Sequence, residues 1–144
     1  MELKIYLTGA EKLLDNLKSI ADKIDEKIFE VVRKTTIDVN ATAKKSMNMG
    51  GKSGGIITHS KPGEPPFVQT GTLRSNVVYD VPSLQKGKEI IGKVGVRDIV
   101  PYARALEYGY NARNLKARPY LRPALAKHTP EFEKNIKDAV GSVK

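Results

Sequence analysis

Leu3, Ile5 and Leu7 alternate with Glu2, Lys4, Tyr6 and Thr8, and Gly9 ends the pattern. A period of two places the apolar set on one face of a strand. The period then changes. From Ala10 to Met49 there is neither glycine nor proline, and apolar residues recur at Leu13, Leu17, Ile20, Ile24, Ile28, Val31 or Val32, and Val39. Steps of three and four predict one face of an amphipathic helix over residues 10–49. Lys12, Asp15, Lys18, Asp22, Lys23, Asp25, Glu26 and Lys27 fall mostly on the other face, and Glu30 and Lys34 stand in the favourable i,i+4 order. A continuous helix of this length spans about 55 Å, against roughly 30 Å for the diameter of a compact domain of this size. It therefore either breaks near Thr35-Thr36 or runs beyond the domain. A helix that outruns its core leaves an apolar face in need of a partner; packing across a sheet is the simpler arrangement for most of its length.

Residues 47–69 change character, with five glycines and three prolines among them. The early glycines make the first part pliable, and Pro62, Pro65 and Pro66 favour an extended chain after it. A loop of this length is either functional or disordered. Thr70 is placed to cap a short helical turn through Ser75. Residues 76–81 read as a strand stopped by Pro82, and residues 89–97 as a second, joined to the first in an antiparallel hairpin. Pro101 suits the first turn of a short helix whose Tyr102, Ala105, Leu106 and Gly109 share a face, with Gly109 as its stop. Residues 111–117 are basic and polar. Pro119 or Pro123 opens a last helix through Leu125, Phe132, Ile136 and Val140, with Glu133 and Lys137 as an i,i+4 pair. The sum is an α+β fold: a long N-terminal amphipathic helix packed on a small antiparallel sheet, with a short helix and a C-terminal helix. No internal repeat and no second core is evident, so residues 1–144 read as one domain.

Composition narrows the chemistry. The chain has no cysteine, which removes disulfides, thiolate metal sites and a cysteine nucleophile. The N-terminus lacks the basic and apolar regions of a signal peptide, and no run of about 18 apolar residues could cross a membrane. The net charge of +9 raises the local concentration of anionic partners: nucleic acid, an acidic protein face or an anionic membrane surface. The same lysines also serve solubility.

Specific catalytic patterns are weak. Gly51-Lys52-Ser53 resembles the end of a phosphate-binding loop, but Ser46 stands where the first glycine is needed, and Gly54-Gly55 follows instead of a helix. His59 and His128 have no second histidine at ligand spacing. Ser60 beside His59 is adjacency alone, because neighbouring side chains on an extended chain point apart. Glu64 and Glu107 could serve as acid and base, yet Glu107 lies near Arg113, Arg118 and Arg122, where a structural ion pair is simpler. No metal, cofactor or catalytic residue is expected. For nucleic acid, Arg113, Lys116, Arg118 and Arg122 with Tyr110 and Tyr120 form one basic candidate patch, and Lys44, Lys45, Lys52 and Lys61 another. Without a groove-reading motif, such binding would be non-specific.

Three segments together carry a resemblance: Gly63-Glu64-Pro65-Pro66-Phe67-Val68-Gln69-Thr70-Gly71-Thr72-Leu73-Arg74-Ser75, then Tyr102-Ala103-Arg104-Ala105-Leu106-Glu107-Tyr108-Gly109, then Ala117-Arg118-Pro119-Tyr120-Leu121-Arg122-Pro123-Ala124. In this order they resemble the neck proteins of long-tailed phages and prophages, the head–tail joining or tail-completion family. Tyr110 departs from the small polar residue usual after that glycine. The resemblance implies an α+β fold, no catalytic residues, and a structural place in the virion after assembly in the bacterial host cytoplasm. It implies a ring, six-fold by analogy, between the head-side connector and the tail-tube or tail-terminator proteins. Such a subunit can be a monomer in dilute solution. The residues expected to meet a neighbouring copy or virion protein are Phe67, Thr70, Gly71, Leu73, Arg74, Tyr102, Glu107, Gly109, Arg113, Lys116, Arg118, Pro119 and Arg122. Phe67 is expected to anchor the 47–69 segment, Thr70 and Gly71 to fix its exit, and Glu107 to pair with Arg118 or Arg122. The competing reading is a basic, non-specific nucleic-acid-binding protein.

Overall fold

A single helix, α1 (Ala10–Ser46), forms the spine of the molecule. The computed structural model describes residues 9–48, 52–53 and 56–143; the alternating strand expected at residues 2–8 lies outside them. Gly9 enters the helix at φ 101, a backbone shape that favours glycine. There is no break at Thr35-Thr36. Thr36 is buried and its hydroxyl donates to the Val32 carbonyl at 2.7 Å, which satisfies the side chain inside the helix without ending it. The buried face of the C-terminal half runs through Val32, Thr36, Val39, Asn40, Ala43 and Met47, the spacing of one helical stripe.

Two short antiparallel pairs follow. β1 (Lys52–Ser53) pairs with β2 (Ile56–Ile57). After the turn of α2 (Thr72–Ser75), β3 (Val77–Asp80) pairs with β4 (Lys93–Val96) in the register Val77↔Val96 to Asp80↔Lys93. The second strand is shorter than its alternation suggests, because only residues 93–96 meet a partner. Gly92 instead approaches α1: a Cβ there would collide with the Thr36 hydroxyl and press on Val32.

α3 (Ala103–Tyr108) is followed by a 3-10 turn (Asn111–Arg113) and α4 (Leu121–Gly141). α4 lies antiparallel along α1. Near its start, His128 Nε2 is 2.7 Å from the Thr42 hydroxyl; at its end, Lys27 Nζ donates to Ser142 Oγ at 2.6 Å. The core sits where α1, the β3–β4 pair and the start of α4 meet: Val39, Ala43, Met47, Val77, Tyr120 and Ala124 are buried together, with Val68, Leu73, Val94, Val96, Leu106 and Leu121 packed around them. The architecture is α+β. Among the described residues, no helix is long and apolar enough to cross a membrane.

Candidate partner-binding cleft

The start of α4 shows how the chain fixes this end of the molecule. A helix leaves its first backbone N–H groups without intrahelical partners. Tyr120, the residue before α4, offers no side-chain cap. Glu107 of α3 supplies one from a distance. Its Oε2 accepts the N–H groups of Tyr120 (2.8 Å) and Leu121 (3.0 Å), and its Oε1 accepts that of Arg122 (2.9 Å). The next residue, Pro123, has no N–H to satisfy. One carboxylate thus accounts for every free donor of the first turn, where the helix dipole also favours negative charge.

Arg122 completes the clamp. Its Nε donates to Glu107 Oε1 at 3.2 Å, its Nη2 donates to the Glu107 carbonyl at 2.8 Å, and its guanidinium lies 4.9 Å from the centre of the Tyr108 ring. Burial is the strongest single influence on the Glu107 carboxyl and opposes its ionisation. The three backbone N–H groups and Arg122 together overcome it and hold the carboxyl below its ordinary value. Burial, with the Glu107 charge behind it, pushes the Tyr120 phenol up, so that phenol stays protonated; its O–H points to the Ala103 carbonyl, 3.4 Å away.

Of the two arginines expected as alternatives for Glu107, Arg122 is the one that pairs with it, and Arg118 binds elsewhere. Its Nε donates to the Ser60 carbonyl at 3.0 Å, and its backbone N–H donates to the Leu106 carbonyl at 2.7 Å. Gly63 N–H donates to the Ala117 carbonyl (2.9 Å), and Val68 N–H to the Asn48 carbonyl (2.8 Å). Residues 60–68 are therefore strapped between the end of α1 and the segment leading to α4. Pro66 is buried and Phe67 half-buried. Gly71 turns the strap into α2 at φ 82. Thr70 is not the helix cap; Gly71 is, and the Thr70 hydroxyl reaches the Thr72 N–H only at 3.4 Å.

This strap, α2, α3 and Met47 enclose a cleft of about 270 Å³. Of the residues expected at an interface, Phe67, Thr70, Gly71, Leu73, Arg74, Tyr102 and Arg118 line it. Its floor is apolar, through Met47, Phe67, Leu73 and Leu106. Arg74 has no ion-pair or hydrogen-bonded partner among the described residues. The Ser60 hydroxyl, on a residue only 4% exposed, also lacks one. Buried polar groups are ordinarily satisfied, so the lining of the cleft includes an unused hydroxyl as well as a cation.

The other expected residues lie elsewhere. Glu107 and Arg122 form the clamp, and Pro119, half-buried, stands in sequence between Arg118 of the cleft and Tyr120 of the clamp. Gly109 ends α3 at φ 80, where a Cβ would stand 2.9 Å from the Leu115 carbonyl oxygen and 3.1 Å from the Ala117 nitrogen. Only glycine lets the 110–117 excursion close back on the helix. That excursion is pinned by Tyr110 N–H to the Leu115 carbonyl (2.8 Å) and carries Arg113 and Lys116 exposed, away from the cleft. Ser60, Met47 and Leu115 were not expected at the cleft. Ser60 lacks any sequence signal, since its burial follows from the Arg118 strap. Glu64, the other carboxylate weighed for chemistry, is exposed and accepts the Lys61 N–H at 3.2 Å; Glu107 faces a cleft with Asp98 and Arg104 that Glu64 does not line.

Among the described residues Glu107 is the one buried carboxylate, and the clamp already engages it. Residues 11–109 match the family described as "Bacteriophage HK97-gp10, putative tail-component", and the chain belongs to that family of phage tail components. The match covers α1 through α3 and stops before the clamp's partner helix α4. No curated protein and no solved structure matches the chain.

Proposed function

We propose that this protein is a structural subunit of the virion neck, forming a ring that joins head to tail and completes the tail, and that it is not an enzyme. The observation that carries this reading is the cleft: an apolar floor with an Arg74 guanidinium and a buried hydroxyl that find no partner among the described residues, built from the three segments that resemble neck proteins. An acidic, partly apolar segment of an adjoining virion protein suits it. Arginine binds carboxylate through a planar fork, and desolvation on a mostly apolar floor strengthens the pair. Non-catalytic use of Glu107 is favoured by its four bonds in the clamp and its lowered pKa, which leave no lone pair poised to take a proton.

Arg74→Glu tests this. Arg74 is half-buried but holds no other described group, so the variant should melt within about 4 °C of the parent, the shift of about 1 kcal/mol in a chain of this size. It should nonetheless yield unjoined heads and tails. Normal joined particles from a well-folded Arg74→Glu protein would overturn the cleft's role. The nucleic-acid reading rests on the net charge and the exposed Arg113 and Lys116. It requires DNA affinity that falls steeply with added salt; absence of binding at low salt removes it.

A further inference from the structure

The N-terminal third of α1 stands clear of the rest of the described molecule. Its last tethers are Lys86 Nζ to Asp22 Oδ2 and Gly87 N–H to Asp25 Oδ2, both 2.8 Å, and Lys27 to Ser142. Upstream of them, residues 11–19 are all exposed. Leu13, Leu14 and Leu17, three and four residues apart on one stripe, remain 60%, 56% and 54% exposed. Contiguous exposed leucines at helical spacing mark an interaction surface.

A matching receptor lies on the body of the same chain. A groove of about 690 Å³ runs between α1 and α4, floored by Val32, Val39, Val94 and Phe132 and edged by the exposed Ile91 and Leu125. Its size falls within the range of about 300–1,000 Å³ that holds compact apolar ligands. The stripe cannot reach its own groove. α1 is one unbroken helix whose Val32 lines the groove, about 25 Å along the axis from the leucines at the helical rise. Charge is compatible with a mutual fit: Glu11, Lys12, Asp15 and Lys18 flank the stripe, and the exposed Glu89 and Lys93 line the groove, so each surface offers both signs to the other.

We infer that Leu13, Leu14 and Leu17 of one copy seat in the α1–α4 groove of the next copy. This inference rests on the ring reading and specifies its contact. Donor and receptor are different patches, so the contact is head-to-tail and propagates until the rotation closes it. Three leucines over a short groove bury less than the roughly 800 Å² per partner of a standing complex. The pairwise contact is therefore weak, and it fills when copies are held side by side at the neck, where effective concentration is high.

The absence of cysteine gives a clean test. A Leu14→Cys, Leu125→Cys double variant, oxidised at millimolar concentration, should give a ladder of disulfide-linked dimers, trimers and larger species. Leu14→Cys paired with the exposed Lys45→Cys should give none. In dilute monomer, the Leu14→Cys thiol should react with a thiol reagent as fast as a free cysteine peptide. Slow labelling would show that the chain covers its own stripe, and would overturn the inference. A dimer band with nothing above it would also overturn it, as an isologous contact. If no ladder forms while the parent protein self-associates on sedimentation, this contact is wrong and the ring stands. A parent protein that stays monomeric at every concentration and in isolated necks takes the ring reading down as well.

Discussion

Glu107 concentrates the consequences of burial at one side chain. It is 3% exposed, and removing its carboxylate leaves the N–H groups of Tyr120, Leu121 and Arg122 at the entry to α4 without acceptors and the Arg122 Nε without its partner. Losing a helix cap costs about 0.5–2 kcal/mol, and leaving a buried donor unsatisfied costs about 1–3 kcal/mol. Glu107→Ala should therefore destabilise the protein by about 2–4 kcal/mol, read from denaturant midpoints. The effect depends on pH with a definite sign. The folded carboxyl titrates below its ordinary value, so its stabilisation is complete above about pH 4.3, the unfolded value, and is lost as pH falls through the lower folded value. The gap between the parent and Glu107→Gln should be wide at neutral pH and close in acid; a gap that is constant with pH would contradict the clamp. Charge patterning in the sequence was enough to expect an arginine partner for Glu107. It could not show the three backbone bonds, because a cap supplied by a residue 13 to 15 positions upstream has no local signature, unlike a capping box. For the same reason Arg118, an equal candidate by charge, turned out to hold Ser60 instead.

At the level of elements, α1 was the most legible part. Its period of three and four over a stretch without glycine or proline decided the helix, and one continuous element is what the structure contains. The alternative of a break at Thr35-Thr36 rested on length, about 55 Å of helix against roughly 30 Å for a compact domain. Burying Val32, Val39 and Ala43 on one stripe keeps the helix whole through that point, and its excess length is exposed over residues 11–19. The strand pair was less legible: alternation across residues 89–97 gave the type of element, but only pairing sets its length, and the chain at Gly92 packs on α1. The cleft was legible as a list of residues and not as a shape, since the strap that closes it depends on bonds from Gly63 to Ala117 and from Arg118 to Ser60. The two halves of α1 should respond differently to mutation. Val39→Ala, in the core, should cost about 1–3 kcal/mol. Leu13→Ala and Leu17→Ala, on the overhang, should stay within about 0.5 kcal/mol. Comparable losses at both ends in thermal unfolding would mean that the overhang is packed in the free protein.

The described residues form a cross-braced frame with surfaces left over. The Glu107 clamp joins α3 to α4, α4 runs back along α1, and the strap ties the end of α1 to the segment entering α4. Outside that frame remain a cationic, apolar cleft and an overhanging helix, neither satisfied by the described chain itself. Membership in a phage tail-component family gives such surfaces a setting in which neighbours are fixed by assembly. The most direct measurement is electron microscopy of particles assembled without this protein, before and after the purified protein is added back. The account predicts DNA-filled heads lying apart from finished tails, and their joining on add-back. Intact, infectious, tail-bearing particles assembled in its absence would contradict it.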